Sequence, residues 1–302
     1  MQVDDFNPII GVPEALAPDL TRIVAPNPSP MTYRGTNTYL LGKNELAVID
    51  PGPDNPAHLD AILSAVKPDQ RVTHILVTHS HLDHAPLAHP LADATGAPVF
   101  AYGSSTAGRS PAMEALAKAG LTGGGEGIDA DFQPDHVLQD AETIATADWQ
   151  ISAYWTPGHL SNHMCFATDS ALFCGDHVMG WASTLVSPPD GDLRAFMDSC
   201  ARLRTLPERP YYPGHGAPIP SPYARLDWLI AHRHARETAL LDALSGTGQT
   251  LSELTRMVYD DIDPAMWPAA ERNLLAHLID LHTRALVHAE PALGLHACFS
   301  RI

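Results

Sequence analysis

The chain has 302 residues, 45% of them apolar, with 35 acids against 18 lysines and arginines and a formal net charge of −17. That length suits one large domain or two unequal ones, and the apolar share is that of an ordinary soluble globular protein. The acid excess argues against binding long nucleic acid, which needs a basic track that releases counterions.

No run of about 18 apolar residues occurs, so no membrane-spanning helix is expected. The first residues carry acids and prolines where a signal peptide has basic and apolar ones, which predicts a cytoplasmic protein. Cys165, Cys174, Cys200 and Cys298 are far apart and form no CxxC pair, so neither a disulfide framework nor a cysteine-type zinc site is expected.

In chain order, residues 1–60 read as strands and turns, with short apolar runs at 36–42 and 45–52 bounded by Gly, Pro and Asn. Residues 57–66 have the spacing of an amphipathic helix, and 71–79 form a buried β-branched strand ending in histidine. A helix is predicted over 84–96 and a strand over 97–103. Residues 103–130, rich in Gly, Ser and Ala, read as a loop with one helix at 114–120, either plain surface or the flank of an active-site mouth. The pattern then restarts: strands within 143–159 and 164–177, a helix over 193–206 and a strand over 209–215. Two halves whose strands end at His or Asp suggest a pseudo-symmetric α/β sandwich.

From residue 223 the chain changes character. Helical patterns at 224–244, 250–261 and 268–286, then a hairpin pattern at 285–299, make a winged-helix arrangement. The division predicted is 1–222 for a catalytic domain and 223–302 for a winged-helix-like one. Residues 226–302 hold six arginines, no lysine and ten acids, which speaks against a DNA-reading face. The expected role is to shape the pocket edge or to form a homodimer interface.

The strongest chemical signal is Thr78–His84, THSHLDH, just after a strand. His79 and His81, two apart on an extended segment, point the same way and can share one ion; Asp83 and His84 lie past a turn and can reach a second. Imidazole and carboxylate suit zinc and other borderline metals. Further donors must come from later strand ends, where His159 in TPGHL, Asp176 in FCGDH and His215 in YPGHG are available. His163 and His177 adjoin these motifs and are candidates to contact substrate or protonate a leaving group. Tyr33, Arg34 and Trp181 are candidate pocket walls. His58, His74, His89, His136 and the six histidines after residue 231 are expected to be structural or superficial.

The ordered set HxHxDH, His, Asp, His resembles the metallo-β-lactamase superfamily over about residues 20–220. That resemblance implies an αββα sandwich and two divalent ions, zinc first, with iron or manganese as alternatives. It also implies that His79, His81 and His159 bind one ion, that Asp83, His84 and His215 bind the other, and that Asp176 bridges them. The IDPG segment matches too and implies that Asp50 orients the metal site. SPMTYRGTNTYLLG, GDHVMGW, SPPDGD, HRHARE and TLSELTRMVY resemble the lactamase-beta-2-like branch, which carries a C-terminal winged-helix-like domain and includes single-strand endoribonucleases.

The function this implies is a dinuclear hydrolase in which a metal-bridging hydroxide attacks an ester, thioester or phosphodiester and Asp83 handles the proton. The alternatives are a single-strand endoribonuclease of the same branch and an iron-dependent redox relative; His81, where diiron flavoprotein relatives have Glu, speaks against redox. The substrate expected is a small molecule or a short anion, with neither duplex DNA nor membrane as partner. A β-lactamase is disfavoured by Asp176, and a glutathione thioesterase by the lack of lysine after residue 118.

Overall fold

The computed structural model describes residues 6–124, 127–260 and 262–302. Its first sheet opens as an antiparallel meander of β1 (Glu14–Ala17), β2 (Leu20–Val24), β3 (Asn37–Leu41) and β4 (Glu45–Ile49). Helix α1 (Pro56–Ala65), begun by the Asn55 side chain accepting from the His58 amide, carries the chain over the sheet. β5 (Arg71–Leu76) therefore pairs parallel to β4. Beyond it come α2 (Ala88–Thr95), β6 (Val99–Ala101), α3 (Pro111–Lys118) and β7 (His136–Val137), completing a seven-stranded sheet in chain order.

The second sheet has five strands: β8 (Glu142–Ala145), β9 (Gln150–Trp155), β10 (Met164–Ala167), β11 (Leu172–Gly175) and, after α4 (Leu193–Leu203), β12 (Tyr211–Pro213). Only the α4 crossover gives a parallel pair, β11 with β12.

Alternation along the strands makes three layers of core. Tyr39, Leu41, Ile49 and Leu76 face Ile151, Phe166 and Phe173 between the sheets. Leu40, Val48 and Ile75 point the other way, against Ile62 of α1 and Leu91 of α2. Cys165, Leu172 and Cys174 leave the second sheet toward Phe196 and Leu203 of α4. This is the αββα sandwich. Helix α2 starts at Ala88, four residues later than the pattern predicts, because residues 84–87 form a turn whose His84 side chain points inward. Helix α3 starts three residues early, on a Ser110 cap with Pro111 in its first turn.

The C-terminal part has α5 (Pro222–Ala243), β13 (Gln249–Thr250), α6 (Leu251–Val258), α7 (Trp267–Thr283), β14 (Val287–Glu290) and β15 (Cys298–Arg301). A capping box between Thr250 and Glu253 opens α6. The three strands pair antiparallel in the order β13-β15-β14 and form the wing. Leu274, Leu275, Leu278 and Ile279 of α7 are buried against Leu240, Leu254, Val287 and Phe299. The module also packs on the sandwich: Met113 and Leu116 of α3 belong to its core, while Leu226 and Leu229 of α5 belong to the α4 layer. Among the described residues no helix is long and apolar enough to cross a membrane.

Candidate metal centre

Four strand ends deliver the functional side chains to one edge of the two sheets. His79, His81, Asp83 and His84 follow β5, His159 lies between β9 and β10, Asp176 follows β11 and His215 follows β12. All seven are buried. They form two groups, His79, His81, His159 and Asp176 in one and Asp83, His84 and His215 in the other, with the donor atoms of each group within 4.8 Å of one another.

Hydrogen bonds settle which ring nitrogens face inward. His159 Nδ1 donates to the Leu185 carbonyl at 2.7 Å and His215 Nδ1 to the Gly35 carbonyl at 3.2 Å. His84 Nδ1 donates to Asp50 Oδ2 at 2.9 Å. The Thr78 hydroxyl also donates to Asp50 Oδ2, at 2.8 Å, so it accepts from His79 Nδ1 at 2.9 Å. Each Nε2 of these four rings thus faces the cluster, and in His79 and His159, whose charged forms burial disfavours, it carries a lone pair. Nε2 of His79 and of His159 lie 3.0 and 3.1 Å from Nδ1 of His81. Three imidazole nitrogens meeting this closely fit a cation among them, since two of the three have no proton to offer.

The second group is bound together by charge. His84 Nε2 lies 3.3 Å from Asp83 Oδ2 and 3.5 Å from Asp176 Oδ1. His215 Nε2 lies 3.1 Å from Asp83 Oδ2 and 3.3 Å from Asp176 Oδ2, and Asp176 Oδ2 is 3.7 Å from His159 Nε2. Burial would raise the Asp83 carboxyl, but His84 and His215 hold it well below the usual range. Burial likewise acts upward on Asp176 and the same two histidines bring it far down. Burial disfavours a charged His215, yet Asp176 and Asp83 raise it to about 10. His81, by contrast, is pushed down to about 3, first by burial and then by His159. Ionised carboxylates beside the neutral rings of His79, His81 and His159 suit a cation, whereas Asp83 and Asp176 hold a proton on His84 and His215 that a bound ion would displace.

Asp50 organises this edge from behind. Its Oδ1 accepts from the Thr78 amide at 2.7 Å, its backbone φ is 51°, and its Oδ2 serves both His84 and Thr78. Gly214 is required for close approach: a Cβ there would lie 2.3 Å from Asp176 Oδ1 and 2.6 Å from His84 Cε1. Neither Gly35 nor Thr36 stands out in the sequence, because one acts through its backbone carbonyl and the other through its hydroxyl.

A cavity of about 320 Å³ opens beside His81 and His159. Gly123, Gly124, Gly127 and Ile128 form one wall, so the 103–130 loop does flank the mouth, and Leu160, Leu185, Ser187 and Asp190 form the other. Among the described residues no lysine or arginine lines it. Burial raises the Asp190 carboxyl despite its ion pair with Arg109 at 2.8 Å. Nothing in the sequence pattern marks residues 185–190 as cavity lining.

The structure sets His163 and His177 back from this cavity. Both are fully buried, His163 stacking behind His79 with Nδ1 against the Thr156 hydroxyl at 2.9 Å. His177 packs on Phe196 with Nε2 3.5 Å from Cys200 Sγ. Neither is part of the cavity lining. Tyr33 and Trp181 stack on each other at 4.9 Å, with Arg34 over the Tyr33 ring, and none of the three is part of the cavity lining. His58 is held by the Thr38 hydroxyl at 2.8 Å, and His277 is buried in α7.

Comparison with known proteins agrees with this geometry. The metallo-beta-lactamase superfamily matches residues 31–215, and the beta-lactamase associated winged helix domain matches residues 250–292. A beta-lactamase-like protein 2 homolog of Drosophila melanogaster is 29% identical over 279 residues, 88% of either chain. An atrochrysone carboxyl ACP thioesterase of Aspergillus fumigatus is 30% identical over 240 residues, 76% of this chain and 66% of that one. The crystal structure of a beta-lactamase domain protein from Burkholderia ambifaria superposes with a TM-score of 0.80 at 22% identity, over 99% of this chain and 96% of that one. The chain belongs to the metallo-beta-lactamase superfamily of hydrolases, with a beta-lactamase associated winged helix domain toward its C-terminal end.

Proposed function

We propose that the chain is a dinuclear metal hydrolase of esters or thioesters. His79, His81 and His159 would hold one divalent ion, Asp83, His84 and His215 the other, and Asp176, within 3.7 Å of His159 and 3.5 Å of His84, both. The nitrogen and oxygen donor set favours zinc, with iron or manganese as alternatives. Ions bound there supply Lewis acidity toward the scissile group and activate water at neutral pH.

The protein's own part is orientation and proton handling. Asp50 holds the His79 and His84 rings in the ligating tautomer, one through Thr78 and one directly. Asp83 Oδ2 is engaged by His215 and Thr36, whereas its Oδ1 has no hydrogen-bond partner, so Oδ1 is the atom that accepts a proton. Leu160, Leu185 and Ile128 supply apolar lining to the cavity beside His81 and His159.

The observation that carries the ester or thioester reading is the cavity lining, which offers Asp190 and no cation. A polyanionic strand entering there finds no lysine or arginine among the described lining residues, and the Asp190 carboxylate is already paired with Arg109. The thioesterase relative supports the same class. The second reading, single-strand RNA cleavage, draws on the resemblance to the lactamase-beta-2-like branch. Metal-loaded protein assayed on acyl thioesters, aryl esters, lactones and single-stranded RNA separates the two. Turnover of a thioester or ester with RNA left intact is expected; RNA cleavage without ester or thioester turnover overturns the proposal.

A further inference from the structure

We infer that Arg233 and Asn273, both in the C-terminal domain, are positioning residues for His159, acting through the backbone of residues 184–186. This rests on the reading of His159 as a metal ligand proposed above.

The Nδ1 proton of His159 is fixed by the Leu185 carbonyl, and that bond aims Nε2 at the cluster. Leu185 lies in a segment with no helix or strand of its own, between Trp181 and Pro188. A carbonyl in such a segment orients a ring only as well as the segment itself is held. The holding comes from the two neighbouring residues. The Thr184 carbonyl accepts from Arg233 Nη2 of α5, and the Val186 amide donates to Asn273 Oδ1 of α7 at 3.0 Å. Arg233 Nη1 donates to the same Asn273 oxygen at 3.1 Å, tying the two clamps together. On the inner side the Thr184 hydroxyl donates to the Asp176 carbonyl at 2.8 Å. Leu185 is thus bracketed by C-terminal side chains, with a backbone link to Asp176 on the other flank. Arg272 extends the clamp, donating to the carbonyls of Thr122 at 2.6 Å and Pro188 at 3.4 Å, next in sequence to the cavity-lining Gly123 and Ser187.

Arg233 is an unusual residue to use merely as packing. It is 2% exposed and forms no ion pair among the described residues; its guanidinium meets neutral oxygens and the Phe196 ring. A buried cation without a carboxylate is destabilising relative to an apolar side chain of similar size, and replacing such groups by apolar ones is often neutral or stabilising. What Arg233 supplies that a methionine does not is two directed donors, one to the Thr184 carbonyl and one to the Asn273 oxygen that holds the Val186 amide.

Arg233→Met and Asn273→Ala test this, with Arg284→Ala as control, since Arg284 pairs with Glu237 between α5 and α7 without touching the segment. Zinc affinity is measured by competition with a chromophoric chelator, and the visible spectrum of cobalt-substituted protein reports ligand geometry. We expect zinc affinity to fall about tenfold or more in Arg233→Met and in Asn273→Ala, with an altered cobalt spectrum, while the control matches wild type. Arg233→Lys, which restores one donor, should recover part of the loss. Wild-type affinity and spectrum in both variants overturn the positioning role, as does an equal loss in the control. If Arg233→Met does not fold, Asn273→Ala decides alone. Wild-type protein that takes up no metal overturns the metal centre itself, an outcome distinct from variants that match a metal-binding wild type.

Discussion

Two regions of the molecule bury histidines completely, and they use them in opposite ways. At the strand ends His79, His84, His159 and His215 each have one nitrogen committed to an oxygen, from Thr78, Asp50, Leu185 and Gly35 in turn, which leaves the other facing its neighbours. In α7, His277 is equally buried, yet neither of its nitrogens has a partner. Burial first, and then the charge of Arg233 and its neighbours, push His277 down to about 3. The difference teaches that a buried histidine becomes a binding group when a fixed proton on one nitrogen aims the lone pair of the other, and is otherwise an awkward piece of core.

The comparison breaks most sharply at the ligands. His81→Ala and Asp176→Ala should each lower hydrolysis of the true substrate by about 10²-fold or more while leaving circular dichroism unchanged, because the groups sit on loops at strand ends. Retention of more than about a tenth of wild-type turnover in either would refute the two-metal reading. Asp50→Ala should have the next largest effect. It releases the His84 ring and the Thr78 hydroxyl together, so metal affinity in a chelator competition should fall about 10- to 100-fold, with activity recovered at raised metal concentration. Unchanged affinity would mean that Asp50 only shapes the turn.

The smallest effect is expected in the other region. His277→Leu removes two unpartnered buried nitrogens and should stabilise the fold at neutral pH by about 1 kcal/mol. The sign with pH follows from its depressed value. Between about 6.5 and 3 the unfolded chain binds a proton at His277 that the folded chain refuses, so stability falls with acidification through that window. The substitution should flatten that fall by at most about 1.4 kcal/mol per pH unit, read from urea unfolding at several pH values. An identical slope in both proteins would show that His277 takes up its proton in the native state.

The ligand set was legible because it is local. A histidine motif after one strand and single His or Asp residues after three others need only period-two geometry and strand ends to be noticed. The same geometry turns His177, which follows Asp176 directly, to the opposite side, toward Phe196. Leu185, Ser187 and Asp190 reach the cavity through long-range packing that no spacing announces. The arginines of the C-terminal region were weighed as charge against ten acids, whereas Arg233 and Arg272 act as directed donors to backbone carbonyls. A charge count has no view of that role.

Helix α3 lends Met113 and Leu116 to the C-terminal core, and α5 lends Leu226 and Leu229 to the layer under α4. Each half therefore completes the interior of the other, so neither can melt without opening an apolar face in its neighbour. Cutting the chain after residue 222 would yield not a smaller enzyme but two sticky fragments. Heat should undo the whole molecule in one cooperative step.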